Sequence, residues 1–444
     1  MRFSKTTLFI ILAAIVFSVA CQKNILQPQL SAPTSMKDVP AVRLNYRYEP
    51  DVPAPSENAR PADERNASVQ NDFDQHRPQE LLDRTITSPD KQHVLAVYHR
   101  TGDVLSEFRL DMYSPDGKLL RKVTPDAMAV HFTDAIVWAP DSSAVAFVAM
   151  VRVPQIGGEN QSPAATAPTP PAPESSPDAN AATVPENTEA TTPTGPTPAA
   201  PVGVLLFRTE QLYICNADGD GTKPLTQNEG LIYFYYAWSP DSSMLAALAV
   251  TAREWQFLNA QADTKGELFI PTGRPRVIEK NGRERRLDDG LTQVHPVWSP
   301  DSAKVAGAFG TQVRIYDATG NNPTQAAIPL QNQLLLSSQA YDREEQQKLQ
   351  AANSNAVANA PANTTATNTA AVNSPSNQPQ GTLPDPSTLV SFNPIVDLVW
   401  NADDLIYFQT AFVKKMKNDA DSVTSFARWH RLVLSVQPGT QTAQ

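Results

Sequence analysis

A four-residue phrase, Trp-Ser-Pro-Asp followed by a short apolar run, recurs along this 444-residue chain. Two copies are complete, one has Ala in place of Ser, one has Thr in place of Trp, and the last has lost the Pro. The copies are Thr87–Asp90, Trp138–Asp141, Trp238–Asp241, Trp298–Asp301 and Trp400–Asp403. Repetition at a fixed period is the signature of solenoids and propellers, so this feature constrains the fold more than any other.

Each copy predicts a strand, a tight turn and a second strand. Proline fixes φ and has no amide donor, so it favours turns and sheet edges. The apolar run, such as Met244–Leu248, is short and uninterrupted, which is typical of a strand buried on both faces. The same Asp recurs at each turn, where its carboxylate can accept a backbone hydrogen bond. We therefore expect a structural role, rather than a metal-binding ring, for Asp90, Asp141, Asp241, Asp301 and Asp403.

A second half-phrase follows most of these runs and predicts a hairpin. It is an alternating strand that ends in Asp-Gly, Thr-Gly or a similar pair and is followed by another strand, as in 110–124, 211–226 and 313–320. Such pairs between alternating runs are the strongest short-range hairpin signal. Each unit therefore holds four strands, which is the size of one propeller blade. The spacing of about 51 residues from Asp90 to Asp141, and of about 60 from Asp241 to Asp301, agrees with blade-sized periods.

The whole pattern resembles the TolB-like, or WD40-like, β-propeller repeat, over residues 81–330 and 393–436. The resemblance implies an all-β fold, a propeller of five to six four-stranded blades within residues 81–436, with long low-complexity insertions. Five blades can be counted, whereas the family usually has six or more. Val42, Leu44, Tyr46 and Tyr48 alternate with polar residues. This alternation predicts a strand over 42–48 that either completes the last blade or contributes to a sixth.

The N-terminus reads as a targeting segment over residues 1–20. Arg2 and Lys5 precede an apolar stretch, and small residues lead to Cys21. The segment resembles a bacterial lipoprotein signal, which implies lipidation at Cys21, attachment to the membrane and a location at the cell envelope. In a Gram-negative cell this would be the outer membrane or periplasm. Ordinary cleavage after the small residues is the alternative, and it would give a secreted protein.

Several other segments hold little that could be buried. Residues 21–80 read as a tether, and 437–444 as a tail. Two insertions, 154–201 and 333–390, are rich in Pro, Ala, Thr and Asn, a composition that predicts disorder. Within the second insertion, 339–350 has good helix formers and predicts a short solvated helix. Cys215 lies in a predicted strand, where it is expected to be buried.

Composition excludes some partners. The net charge is −10 and no basic stripe is present, which argues against nucleic-acid binding. Hydrolase elbows, zinc helices and phosphate-binding loops are all missing from the sequence, so it predicts no catalytic residue, no metal site and no cofactor. Candidate binding residues are those that interrupt the repeat. An aromatic run supplies Tyr233 and Tyr235, and a locally basic stretch supplies Arg274 and Arg276. His295, which precedes Pro296 and Trp298 in its repeat, is a further candidate because that position can point into the central channel.

The sequence predicts a non-catalytic, envelope-anchored and monomeric scaffold that binds a protein, peptide or glycan partner. The resemblance to TolB implies a role in assembling or monitoring envelope complexes. The alternative is a metal-dependent propeller hydrolase or lactonase. That function would need several carboxylates and histidines to converge in the central channel.

Overall fold

The computed structural model describes residues 36–56, 65–104, 106–151, 210–320, 322–358 and 382–436. The signal segment 1–20, Cys21, the first insertion 154–201 and the tail 437–444 lie outside these residues. Within the described ranges, none of the helices has the length and apolar character needed to cross a membrane.

The described chain forms five antiparallel sheets of four strands each, as the repeat predicts. Strand β1 (Leu44–Glu49) belongs to sheet 5. Sheet 1 contains β2 (Glu80–Thr87), β3 (Val94–Arg100), β4 (Arg109–Tyr113) and β5 (Leu119–Lys122). In sheet 2 the first strand is split into β6 (Met128–His131) and β7 (Val137–Trp138), and both pair with β8 (Ala144–Val151), which is followed by β9 (Gln211–Asn216) and β10 (Lys223–Pro224).

The remaining strands follow the same order. Sheet 3 contains β11 (Leu231–Trp238), β12 (Met244–Thr251), β13 (Arg274–Glu279) and β14 (Glu284–Arg286). Sheet 4 contains β15 (Val297–Trp298), β16 (Lys304–Phe309), β17 (Gln312–Asp317) and β18 (Gln325–Pro329). Sheet 5 contains β19 (Ile395–Ala402), β20 (Leu405–Lys414), β21 (Val423–Val436) and then β1. The described helices are α1 (Ala67–His76), α2 (Ala252–Lys265) and α3 (Gln331–Ala358).

The repeated phrase folds into the same turn in successive sheets. In sheet 3 the Ser239 hydroxyl donates to the Asp241 carboxylate over 2.6 Å and accepts the Met244 amide over 3.0 Å. The Asp241 carboxylate also accepts the Ser243 amide. Ser242, next to the Asp, has a φ of 62°, a left-handed conformation that most residues avoid. The Asp side chain stabilises the turn from within, as its recurrence predicts.

Two hydrogen bonds join each of the first three sheets to the next one. The indole N–H groups of Trp138, Trp238 and Trp298 donate to backbone carbonyls of the preceding sheet, over 3.1, 3.3 and 3.0 Å. The turn amides of Asp90, Asp141 and Asp241 donate to hydroxyls of the following sheet, each over 3.0 Å, and these hydroxyls belong to Ser142, Ser242 and Ser302. Apolar cores fill the space between consecutive sheets from sheet 1 to sheet 5.

The structure corrects the prediction of a tether over residues 21–80. Helix α1 packs Val69 and Phe73 against sheet 1, on the face that is turned away from sheet 2. The Asn66 side chain caps this helix and accepts the amides of Ser68 and Val69. The few apolar residues of this stretch are spaced along one helical side, which is sufficient for docking although the composition is polar.

The strand predicted over 42–48 forms β1, which is the fourth strand of sheet 5 and pairs along its length with β21. A buried guanidinium locks it in place, because Arg428 on β21 binds the Asp51 carboxylate over 2.7 and 2.8 Å. Arg428 also donates to Ser337 and Ser338 of α3. The second insertion, 333–390, is therefore packed rather than disordered at its start, where α3 buries Leu334 and Leu335.

The strand order gives the molecule two distinct faces. We call turn face the side that carries the repeated turns and the hairpins between third and fourth strands. We call connection face the opposite side, where second strands connect to third strands and each sheet links to the next. The helices α2 and α3 both lie on the connection face.

We predict that Trp298→Phe destabilises the chain by about 1 to 3 kcal/mol more than Trp400→Phe. Both indoles are buried to the same degree, but Trp298 donates to the Ala237 carbonyl, whereas the N–H of Trp400 has no partner among the described residues. Urea unfolding followed by far-ultraviolet circular dichroism measures the difference. Equal losses in the two variants would contradict a stabilising role for the bonds between sheets.

We also predict that His430 makes stability fall between about pH 6.5 and pH 4. The imidazole is fully buried, and the Tyr48 and Thr410 hydroxyls lie 2.9 and 3.1 Å from its nitrogens. Burial, followed by repulsion from Arg428, lowers the pKa of His430 to about 4. In the unfolded chain the pKa of this histidine is about 6.5, so the unfolded state binds more protons in this window. About 3 kcal/mol of the free energy of unfolding that is present above pH 6.5 is therefore lost at pH 4.

Urea midpoints measured across this window test the prediction. The difference in urea midpoint between the parent chain and His430→Gln should narrow as the pH falls. The midpoint of His76→Gln, a substitution at an exposed helix position, should follow that of the parent. A difference in midpoint that stays constant from pH 7 to pH 4 would show that His430 is not held neutral.

Candidate functional site

The longest excursions from the repeat all leave from the connection face. Helix α2 and residues 266–273 connect β12 to β13, and α3 with residues 382–394 links sheet 4 to sheet 5. The hairpin of β20 and β21 extends its tip on the same side. Strand β8 ends and strand β9 begins on this side too; residues 152–209 between them, which include the insertion 154–201, lie outside the described residues. The connection face is therefore the part of the fold that differs most from sheet to sheet.

Local sequence explains why a helix forms after β12. Thr251 and Glu254 form a reciprocal capping box, and Gly266 ends the helix with a φ of 66°. Arg274 holds the first turn in place, because its guanidinium donates to both oxygens of Glu254 over 2.8 and 2.9 Å. These hydrogen bonds lower the pKa of Glu254 to about 2. The sequence analysis missed α2, although the spacing of Thr251 and Glu254 is a recognisable helix start.

Helix α2 carries Trp255 into an aromatic group that we call the rim cluster. It comprises Phe132, Phe234, Tyr235, Trp255, Phe269 and His295. The Trp255 ring lies 5.8 Å from Phe132, 5.7 Å from Phe234 and 4.8 Å from Phe269. Phe132 directly follows β6 of sheet 2, and Phe234 lies on β11 of sheet 3. The cluster therefore covers the first strands of both sheets. Most of its rings are partly exposed.

The structure brings together two of the predicted binding residues. The rings of Tyr235 and His295 stack at 3.8 Å with an angle of 9° between their planes, and His295 is exposed. A β-bulge between Tyr233 and Tyr235 produces this arrangement. It places Phe234 and Tyr235 on the same side of β11, whereas simple alternation would separate them. The sequence identifies the aromatic run, but the position of the bulge has no local signal in it.

Tyr233 and Arg276 lie elsewhere, in a buried polar network on the side of sheet 3 that faces sheet 2. The Tyr233 hydroxyl donates to the Glu284 carboxylate over 2.9 Å and accepts from Asn228 over 3.0 Å. Arg276 binds the same carboxylate over 2.5 Å. Burial raises the pKa of Tyr233 well above its usual value. These side chains therefore serve packing between sheets.

Arg274 lines a cleft of about 550 Å³ beside the start of α2, together with Arg286 and Asp289. Its guanidinium is already engaged by Glu254 and by the carbonyl of Asp289. Arg274 therefore positions α2 and reaches a ligand only at its partly exposed edge.

Two excursions meet over sheet 4, and we call them the arm pair. One arm is α2 with residues 266–270, and the other is the hairpin tip 411–426. Leu268 donates its amide to the Lys415 carbonyl over 2.9 Å, and Lys417 donates its amide to the Gly266 carbonyl over 3.1 Å. An ion pair between Lys417 and Asp263 adds a third contact, over 2.8 Å. Sheet 4 permits this meeting, because a short turn joins its second and third strands.

The arm pair exposes large apolar side chains. Phe257 is 67% exposed, Leu268 54% and Phe412 44%, and Phe426 is similarly accessible. The exposed Lys414, Lys415 and Lys417 lie at the hairpin tip beside them, and the exposed Asp419 and Asp421 follow. An apolar surface bordered by charged side chains and held by backbone hydrogen bonds has the character of a protein-docking surface.

The structure also locates His131 and Cys215. His131 and Glu210 form a buried pair, 2.8 Å apart, next to the rim cluster. Cys215 is buried as predicted, and burial raises its pKa to about 12. Across the residues that the structure describes, no group of three or more His, Cys, Asp or Glu side chains is arranged to hold a metal ion.

Comparison with known proteins gives structural likeness only. No family model matches the chain, and no curated protein matches it. Among solved structures, a TolB-like protein from Agrobacterium tumefaciens is 12% identical, with a TM-score of 0.25, over 55% of this chain and 66% of that one. An oligogalacturonate lyase in complex with manganese is 11% identical, with a TM-score of 0.28, over 54% of this chain and 51% of that one. Prolyl oligopeptidase B from Galerina marginata is 8% identical, with a TM-score of 0.32, over 81% and 39%.

These similar structures include enzymes as well as a TolB-like protein. The chain spans from about two fifths to two thirds of their lengths. The likeness concerns the fold, which is all-β with propeller-type four-stranded sheets.

Proposed function

We propose that this chain is a non-catalytic scaffold that binds a protein partner through the arm pair on its connection face. The observation that carries the proposal is the arm pair itself, two excursions from different sheets joined by backbone hydrogen bonds that hold exposed aromatic side chains. Such side chains are costly to leave in water and are enriched at the centres of protein interfaces. The partner surface has apolar pockets flanked by acidic side chains, which complement the lysines of the hairpin tip.

The geometry of the arms supports binding by a surface formed in advance. Because both arms are already tied to one another, little conformational entropy is lost when a partner docks. The rim cluster lies beside the first turn of α2. Its stacked pair, Tyr235 and His295, extends the aromatic surface towards β11. This placement gives two of the predicted binding residues a role at the edge of the same surface.

The proposed location is the cell envelope, with the chain acting as a monomer. The envelope location rests on the sequence alone. The features that support it are the positively charged start of the chain, the apolar stretch and Cys21, which lie outside the described residues. Lipidation at Cys21 would fix the scaffold to the membrane by its N-terminus. The alternative function, a metal-dependent hydrolase or lactonase, predicts a tightly bound divalent ion in the purified protein.

We predict that Phe257→Asp reduces capture of the partner at least about tenfold, since buried aromatic anchors contribute 2 kcal/mol or more. Leu349→Asp is the matched control, because Leu349 is also helical and is 64% exposed, but lies on α3. The measurement is affinity capture from native envelopes with identification of the bound protein, followed by titration of that purified protein against both variants.

The proposal is supported if one protein binds the parent chain and Leu349→Asp equally and binds Phe257→Asp weakly. It fails if both variants bind alike, or if the captured material is a glycan that both variants retain. A stoichiometric divalent metal with hydrolase activity in the purified chain would favour the enzyme instead.

A further inference from the structure

A second candidate site lies on the turn face, between sheets 3 and 4. It is a cleft of about 460 Å³, a size in the range of small-molecule sites. Its floor is apolar and consists of Met244, Val277 and Ala318. The hairpin between β13 and β14 forms one wall and contributes two guanidinium groups, those of Arg283 and Arg285, and one carboxylate, that of Glu279.

The innermost of these cations has no carboxylate partner. Arg285 is half-buried and donates to the backbone carbonyls of Asp317 and Ala318, over 2.5 and 3.1 Å. Within the described part of the chain, no acidic side chain comes within ion-pair distance of it. Burial lowers the pKa of Arg285 below its usual value, although attraction by the more distant Asp317 carboxylate opposes the shift. A partly buried charge without a direct ion pair is incompletely compensated, so an anion beside it would be stabilising.

The second cation, Arg283, is also weakly compensated. It is 76% exposed and lies 3.8 Å from Glu279, the longest of the arginine ion pairs on this sheet. Lys280 turns its ammonium group the other way, towards sheet 2, where it donates to the Ser143 hydroxyl over 3.1 Å and lies 5.2 Å from the centre of the Trp238 ring. The charge at the cleft is therefore that of the two arginines.

The opposite side of the same two strands differs. Arg274, Arg276 and Arg286 point away from sheet 4, and each pairs closely with a carboxylate, those of Glu254, Glu284 and Asp289 respectively. One side of this hairpin is therefore neutralised within the protein, and the side towards sheet 4 is not.

We propose that the cleft between sheets 3 and 4 binds a small ligand carrying a carboxylate or phosphate group. Arg283 and Arg285 bind the oxyanion, since guanidinium groups match the geometry of carboxylate and phosphate oxygens. Asn281 and Thr319 line the cleft and are polar groups that can bind hydroxyls of the ligand. The apolar floor accepts the body of the ligand.

Titration calorimetry of the full chain with inorganic phosphate and with glucuronate tests the proposal and separates the two sources of oxyanion. Saturable binding of at least one probe is expected with a Kd of about 1 mM or tighter. Arg283→Gln and Arg285→Gln should each weaken it at least about tenfold. Arg283 is exposed, so its variant remains informative if Arg285→Gln does not fold. Phe257→Asp should leave the titration unchanged, which separates this site from the arm pair.

Arg286→Gln is the matched control, because it removes the same charge from the neighbouring position on the other side of the strand. It should bind the probe within about twofold of the parent chain, and glucose, which is neutral, should not bind. The proposal is overturned if neither anion saturates, or if Arg286→Gln weakens binding as much as Arg283→Gln does.

Discussion

The hydrogen bond from an indole N–H to a backbone carbonyl of the preceding sheet is the interaction on which the rest of this structure depends. Trp138, Trp238 and Trp298 each make it. In the turn after each of these residues, the hydroxyl of Ser142, Ser242 or Ser302 accepts a second bond, from an amide of the preceding sheet. Apolar burial between sheets is strong but non-directional. The two hydrogen bonds therefore define how far each sheet is rotated and displaced against its neighbour, and they explain why one short phrase is repeated.

This arrangement separates stability from function. The turn face is largely occupied by the turns that set the stacking, whereas the connection face tolerates long excursions because the repeated Trp and Ser hydrogen bonds do not depend on its loops. Helix α2 and the hairpin tip use this freedom and meet over sheet 4, where the connecting turn is short. The cationic cleft is an exception on the turn face, since it occurs where the β13–β14 hairpin stands apart from sheet 4. The proposed protein partner and the proposed anion therefore occupy opposite faces.

Local signals in the sequence were enough for the sheets but not for the sites. Thr87–Asp90 and its repeats predict the turns, and the alternation from Val42 to Tyr48 predicts the strand that completes sheet 5. The bulge at Phe234 has no local signal in the sequence, and it decides that Tyr235 meets His295 whereas Tyr233 is buried with Glu284. The docking of α1 and α3 was missed, because a few apolar residues in a polar stretch become meaningful only when the surface that they cover is known.

Amide hydrogen exchange across the fifth sheet tests the central claim that distant parts of the chain assemble into repeated four-stranded units. Strand β1 and strand β21 are separated by almost the whole chain, yet pair along their length and are locked by Asp51 and Arg428. The account predicts that the amides of 44–49 are protected as strongly as those of 430–436, and that Asp51→Asn lowers protection in both segments together. Rapid exchange of 44–49 while 430–436 remains protected would contradict it.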